Sequence, residues 1–194
     1  MKALLINGYE TYEGVRENRL NRSLVEYTKE ILESKGYEVK VTNVEKGYDV
    51  KDEHDKTLWA DVIFVQTPIY WFSAPAKFKE YIDKVYIMGY ALGTMSKGDG
   101  RTRSDPTKSY GEGGLLTDKK YMLSTTWNAP QQAFEKGNKF YEGMNTDQAL
   151  VALHKTYQFL GIEKLPSFSI YDVFKEADRE QDIVNFKKHI EDNF

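Results

Sequence analysis

Trp59-Ala60-Asp61-Val62-Ile63-Phe64-Val65-Gln66-Thr67-Pro68-Ile69-Tyr70-Trp71-Phe72-Ser73-Ala74-Pro75 is the stretch whose reading decides the fold. Val62 to Val65 is a continuous apolar run bounded by polar residues, the pattern of a strand buried on both faces of a parallel sheet. Pro68 has no N–H to give to a ladder and ends the strand. Tyr70, Trp71 and Phe72 follow. Ser73 is then read as a helix cap, with Pro75 in the first turn. Phe78, Ile82 and Val85 make one stripe of a helix running to about Val85. A buried strand ends, aromatics emerge at its carboxyl edge, and a helix begins beside them. Ligands of open α/β sheets bind at that edge.

Outward from this stretch, strands and helices alternate. Lys2 to Gly8 reads as strand one, and a polar loop over 9–18 leads to a helix from about Leu20. The helix carries the stripe Leu20, Leu24, Tyr27, Ile31 and stops at Gly36. Tyr37 to Val44 alternates as strand two, and Glu45 to Thr57 reads as a charged loop with a short helical turn. After the central strand and helix, residues 89–119 hold seven of the fourteen glycines, a connection long enough to be functional. Tyr121 to Thr126 is strand four, and a second irregular stretch runs to Met144. A helix starts near Asn145, where Gln148 is placed for a capping box, and ends at Gly161. Ser167 to Val173 reads as strand five, and a last helix starts near Asp178. The expectation is one α/β domain over 1–194: a flavodoxin-like, doubly wound, five-stranded parallel sheet of order 2-1-3-4-5 with helices on both faces.

Bulk properties exclude several classes. A net charge of −3 over 194 residues gives no basis for nucleic-acid binding, and no apolar run approaches a membrane span. Met1 to Gly8 is too short and abruptly polar for a secretory signal. The chain has no cysteine, which removes disulfides, thiolate metal sites and a cysteine nucleophile, and fits a cytoplasmic protein. His54, His154 and His189 show no metal spacing and read as surface or structural groups. No G-x-G-x-x-G, Walker A or G-x-S-x-G motif occurs. Asp52-Glu53-His54-Asp55, the densest acidic cluster, reads as a solvated run.

Three loops meet at the carboxyl edge of such a sheet: Tyr9 to Arg19, Pro68 to Ser73 and Thr126 to Pro130. The second and third carry Tyr70, Trp71, Phe72 and Trp127, with Asn128 as a hydrogen-bonding group. The first carries Arg16, Asn18 and Arg19 before a helix N-terminus, where an anion is favoured. A flat aromatic cleft beside an anion site suits a flavin nucleotide. Each piece also has a plainer meaning: Trp71 and Trp127 as core, Arg16 and Arg19 as solvated charges. The first loop is poor in Ser and Thr, less like a nest for the terminal phosphate of FMN than for FAD.

Longer blocks now become meaningful. Pro68-Ile69-Tyr70-Trp71-Phe72-Ser73-Ala74-Pro75 with Lys79-Glu80-Tyr81-Ile82-Asp83 resembles the NAD(P)H:quinone oxidoreductases called modulator of drug activity B. The likeness continues through Asp99-Gly100-Arg101-Thr102-Arg103, Asp105-Pro106 and Tyr110-Gly111-Glu112-Gly113-Gly114. It is strongest in Lys120-Tyr121-Met122-Leu123-Ser124 with Thr126-Trp127-Asn128-Ala129-Pro130, and it includes His154-Lys155 and Gln158-Phe159-Leu160-Gly161. The resemblance implies a flavodoxin-like fold, bound FAD, NADPH as donor, quinones as acceptors, and a homodimer with its active site near the subunit interface. By position it implies FAD contacts from Arg16, Asn18, Leu20, Asn21 and Ser23, from Ile69, Tyr70, Trp71 and Phe72, from Tyr110, and from Thr126, Trp127, Asn128 and Ala129. Where family members carry a Ser-Asn-Gly-like stretch, this chain has Arg16-Glu17-Asn18, and Glu17 suits a pyrophosphate only if it points away.

The expected chemistry is two-electron, ping-pong transfer from NADPH to a quinone, with the protein aligning the planar partners. No residue must act as a general acid; Tyr110 or water can protonate the product. Lys97, Arg101, Arg103 and Lys108 serve the NADPH 2′-phosphate, the order of the long loop, or the partner subunit. Azoreductase or nitroreductase activity is the alternative within the same chemistry, and a flavodoxin-like electron carrier is the alternative outside it.

Overall fold

The computed structural model describes residues 1–13, 19–175 and 179–194. β1 (Lys2–Asn7), β2 (Glu38–Asn43), β3 (Val62–Pro68) and β4 (Lys120–Thr126) form a parallel sheet in the order β2-β1-β3-β4. The fifth position is shared by two short strands on the same side of β4: β5 (Glu163–Lys164) beside Lys120 and Tyr121, and β6 (Phe168–Ile170) beside Ser124 to Thr126. Of the expected strand over 167–173 only Phe168–Ile170 pairs; β5 is an additional short strand, and Pro166, which cannot donate to the ladder, separates the two.

α1 (Arg19–Ser34) and α6 (Arg179–Asn193) cover one face of the sheet; α2 (Val50–Trp59), α3 (Ala76–Ala91), the short α4 (Thr146–Ala149) and α5 (Val151–Phe159) lie on the other. The division follows from the alternation along the buried strands. Ala3, Leu5, Val62 and Phe64 meet Leu24, Leu32, Phe186 and Ile190, whereas Leu4, Ile6, Ile63 and Val65 meet Phe78, Ile82, Leu153 and Tyr157.

Five local expectations are corrected. The charged segment after β2 forms a full helix, α2, capped by Asp49, whose side chain accepts from the Asp52 N–H. Its buried residues are Glu53, His54 and Thr57, so it has no apolar stripe to betray it. The Glu53 carboxylate, 1% exposed, is held by Thr42 Oγ1 at 2.7 Å, Tyr81 OH at 3.0 Å and Lys56 Nζ at 2.5 Å. The Asp52-Glu53-His54-Asp55 cluster is therefore partly an interior network. α3 runs on to Ala91, because Tyr86 and Gly89 still face inward. Ser73 does not cap it; the cap position is Pro75, without a side-chain bond. The helix begun at Asn145 has its capping box but breaks at Leu150 into α4 and α5.

His154 is structural, as expected, but it is buried. Tyr121 OH lies 2.8 Å from His154 Nδ1, and His154 Nε2 lies 3.0 Å from Asp147 Oδ1. Partial burial pushes the Asp147 carboxyl up, yet the hydrogen bonds from His154 and Lys164 outweigh it and hold the group below the usual carboxylate range. The ionised carboxylate accepts from Nε2–H, which leaves Nδ1 to accept the Tyr121 hydroxyl proton. A carboxyl whose pKa is lower folded than unfolded stabilises the fold above its unfolded pKa, near 4, and loses that contribution as pH falls below it. Asp147→Asn is expected to cost about 1 kcal/mol at neutral pH. Its thermal midpoint should fall less steeply than that of the parent between about pH 5 and 3; parallel curves would remove Asp147 from the acid limb.

Candidate functional site

The β3 chain leaves the sheet at Pro68, and Ile69 N–H still bonds to Thr126 O at 2.9 Å, holding the two loops side by side. Tyr70 and Ser73 then close on each other, N–H to O in both directions, at 2.9 and 3.1 Å. The two central residues are Trp71 at φ 47° and Phe72 at φ 67°. Positive φ at both positions is the signature of a type I′ turn, which normally takes Asn and Gly. Two bulky aromatics here are strained by about 1–2 kcal/mol each. Trp71 is 91% exposed and Phe72 54%. Neither residue's N–H has an acceptor among the described residues. The turn leaves two amide donors without an acceptor among the described residues and exposes two aromatic side chains at the carboxyl edge.

Phe72 does not stand alone. Its ring lies 5.5 Å from Phe140 and 6.4 Å from Tyr141. Phe134 stacks on Tyr141 at 4.2 Å, and Trp127 meets Phe134 at 4.8 Å. The Trp127 indole is buried, with Nε1–H donated to Thr125 Oγ1 at 2.8 Å, so its ring belongs to the core. Its N–H is taken by Ile170 O at 2.8 Å. In the same turn Asn128 is exposed, Ala129 is half-buried, and their N–H groups have no acceptor among the described residues. Thr126 Oγ1 turns inward to Asn21 Oδ1 at 3.1 Å. Phe140 and Tyr141 were missed in the sequence because they sit in an irregular stretch without periodicity; the density of aromatics over 134–141 was the available signal.

On the first loop, Arg16 and Asn18 lie outside the described residues, as does Glu17. Arg19, Leu20, Asn21 and Ser23 form the first turns of α1. Leu20 and Ser23 are half-buried, whereas Asn21 is fully buried. Its Oδ1 accepts from Gln66 Nε2 at 2.8 Å, so its side chain ties α1 to β3 and β4. Asn21 Nδ2, Gln66 Oε1 and Ser124 Oγ are buried in this same region without partners among the described residues.

Tyr110 lies elsewhere. It is 69% exposed, 5.7 Å from the Phe159 ring, with the Arg101 guanidinium over it at 5.6 Å. It lines a cavity of about 740 Å³ between α3 and α5, with Ile82, Tyr86, Ile87 and Tyr90, and no residue of the two edge turns lines it. Arg101 also bonds Asp99, two residues away in the same loop, through Nε at 3.0 Å and Nη2 at 2.5 Å. No group of three or more His, Cys, Asp or Glu among the described residues suits a metal, and no helix among them is long and apolar enough to cross a membrane.

A parallel sheet of order 2-1-3-4-5 with an aromatic corner above β1, β3 and β4 defines a flavodoxin-like protein, and the family model described as flavodoxin-like fold matches residues 1–194. Among relatives spanning the whole chain is the NADPH:quinone oxidoreductase MdaB of Haemophilus influenzae, 40% identical over 194 residues and covered along its entire length. An uncharacterized protein of Schizosaccharomyces pombe is 41% identical over 194 residues, 97% of its own length. The chain belongs to the modulator of drug activity B family within the flavodoxin-like fold. A solved structure from Klebsiella pneumoniae, of a candidate quinone reductase, shares the fold with a TM-score of 0.74 at 23% identity, covering 98% of this chain and 83% of that one.

Proposed function

We propose that the protein is a cytoplasmic, homodimeric NAD(P)H:quinone oxidoreductase that binds FAD and works by a ping-pong mechanism. The observation that carries this reading is the strained turn at Trp71 and Phe72. Its amides, without an acceptor among the described residues, and its exposed rings suit a planar, carbonyl-edged heteroaromatic ring, and it stands at the edge where open α/β sheets bind ligands. Family membership supports the reaction class. FAD bound there supplies two-electron transfer from NADPH to the quinone.

The residues have distinct tasks. Trp71 and Phe72 N–H groups, with those of Asn128 and Ala129, serve as preorganised donors to the polar edge of the ring, where charge accumulates on reduction. The rings of Trp71, Phe72 and Phe140 wall the cleft and limit water. Ile69 and Tyr70 carry the turn. Leu20 and Ser23 border the dinucleotide at the start of α1, with Arg16 and Asn18 just before it in sequence as further contacts, and buried Asn21 braces that turn. The apolar groove between α3 and α5, with Ile87 and Tyr90 exposed beside Tyr110, suits the face of a second copy, which would bring Tyr110 to a shared site.

The test is a visible spectrum of the purified protein, followed anaerobically by NADPH and then menadione in one cuvette. A yellow protein that bleaches with NADPH and recovers with quinone is the expected result. Heat release of the cofactor should yield FAD, and double-reciprocal plots for the two substrates should be parallel. A colourless protein that takes up no added flavin would overturn the cofactor. Released FMN would remove FAD, and intersecting lines would remove the ping-pong order.

A further inference from the structure

The β1–α1 loop is fastened to the aromatic corner through one buried carboxylate. Glu10 is 8% exposed, and its Oε2 accepts from the Lys77 N–H at 2.9 Å and from the Tyr12 hydroxyl at 2.7 Å. The Tyr12 oxygen in turn accepts from the Ala76 N–H at 3.2 Å. Ala76 and Lys77 are the first two residues of α3, whose cap residue, Pro75, has no side-chain acceptor to offer them. Two orphan amides of α3 are thus closed from another loop. The same loop supports the turn directly: Tyr70 OH donates to Glu10 O at 3.3 Å, and the Tyr12 and Tyr70 rings meet edge to face at 5.4 Å. On its other side, the Thr11 N–H bonds to Glu45 Oε1 at 2.7 Å.

A helix N-terminus at a sheet edge attracts anions. At α3 the protein's own carboxylate already occupies that position, so the dinucleotide's phosphates are left the start of α1. Charge-assisted bonds to a buried carboxylate are also the stronger kind, and they resist separation of the two loops. The turn whose strain must be maintained is therefore clamped by the loop that precedes α1.

We propose that Glu10 is a positioning residue: its carboxylate, locked on the Lys77 N–H and the Tyr12 hydroxyl, holds the β1–α1 loop against the Tyr70–Ser73 turn and so aligns that turn's amides with the flavin. This rests on the flavin reading of the corner, and the test separates the two.

Wild type, Glu10→Ala, Glu10→Gln and Tyr12→Phe are each stripped of cofactor, titrated with FAD by fluorescence, and reduced by saturating NADPH in anaerobic stopped flow. Apoprotein unfolding is recorded alongside. Glu10→Ala is expected to weaken FAD binding and to slow reduction, each roughly tenfold or more. Glu10→Gln keeps an acceptor for Lys77 and should fall between, with Tyr12→Phe beside it. These two carry the test if Glu10→Ala does not fold. FAD affinity and reduction rate within about twofold of wild type in every folded variant would overturn the clamp, even with lowered unfolding midpoints, since a simple helix cap moves only stability. Wild type that binds no FAD would instead remove the flavin reading, and the clamp's role with it.

Discussion

Trp71→Asn combined with Phe72→Gly is expected to make the apoprotein more stable and the holoprotein a poorer enzyme. Both residues sit at positive φ, at 47° and 67°, in a two-residue turn. Asn and Gly are the residues that such a turn ordinarily takes, and the exchange releases about 2–4 kcal/mol of backbone strain. Against this stand about 0.5–1 kcal/mol for the extra freedom of glycine in the unfolded chain and about 0.5–1.5 kcal/mol for the lost ring contacts of Phe72 with Phe140 and Tyr141. The net is a gain of about 1 kcal/mol, or about 2–4 °C in Tm for a chain of this size. Flavin affinity should move the other way. Loss of two ring faces at about 0.5–1.5 kcal/mol each corresponds to a weakening on the order of tenfold or more. Differential scanning calorimetry of the apoprotein and a fluorescence titration with FAD read the two effects separately. A destabilised apoprotein would show that the turn is not strained, and unchanged affinity would show that its rings do not face the cofactor.

Gly114→Ala is expected to cost about 3 kcal/mol or more. A Cβ at Gly114 would lie 2.2 Å from both Gly161 N and Leu160 C, and 2.6 Å from Gly161 Cα. All three are backbone atoms, so no side chain can swing aside. The crowding has a reason. Gly114 pairs with Ser96 across the long excursion, and Leu116 N–H bonds to Leu160 O at 2.9 Å. The returning strand of the excursion is laid on the end of α5, where Gly161 turns the chain at φ 87°. An added methyl lifts the excursion off α5 and disturbs Tyr110 and Gly111 just upstream. Urea unfolding should show a lower midpoint, and the Tyr110 groove should become more open to proteolysis. A midpoint within about 1 kcal/mol of the parent would mean that the two segments separate without cost.

How far the fold could be read before its structure depended on where burial was apolar. β1, β3 and β4 are runs such as Ala3 to Ile6 and Val62 to Val65, and α1 carries a clear stripe; periodicity is enough for these. α2 escaped because its inward face is Glu53, His54 and Thr57, with Glu53 and His54 satisfied by Thr42, Tyr81 and Thr94 from other segments and by Lys56 one turn along the same helix. A helix whose buried side is polar has its stabilisation in partners that are distant in sequence. The site divides in the same way. That Tyr70 to Phe72 stand at the carboxyl edge follows from strand, proline and helix in succession. That Trp127 turns into the core while Trp71 stands 91% exposed does not, because both are tryptophans in comparable loops.

The amino-acid sequence by itself determined the alternation of strands and helices, the order of the parallel sheet, the edge at which chemistry gathers and the family to which the chain belongs. All of these rest on local pattern, chain direction and motif. Only the tertiary structure decided that Glu10 closes the N-terminus of α3, that Asn21 braces α1 from inside, that Phe140 and Tyr141 join the wall, and that Tyr110 lies in a separate groove. Each is a contact between segments far apart in the chain, chosen by packing geometry and by the need to satisfy buried polar groups, and no local pattern encodes such a choice.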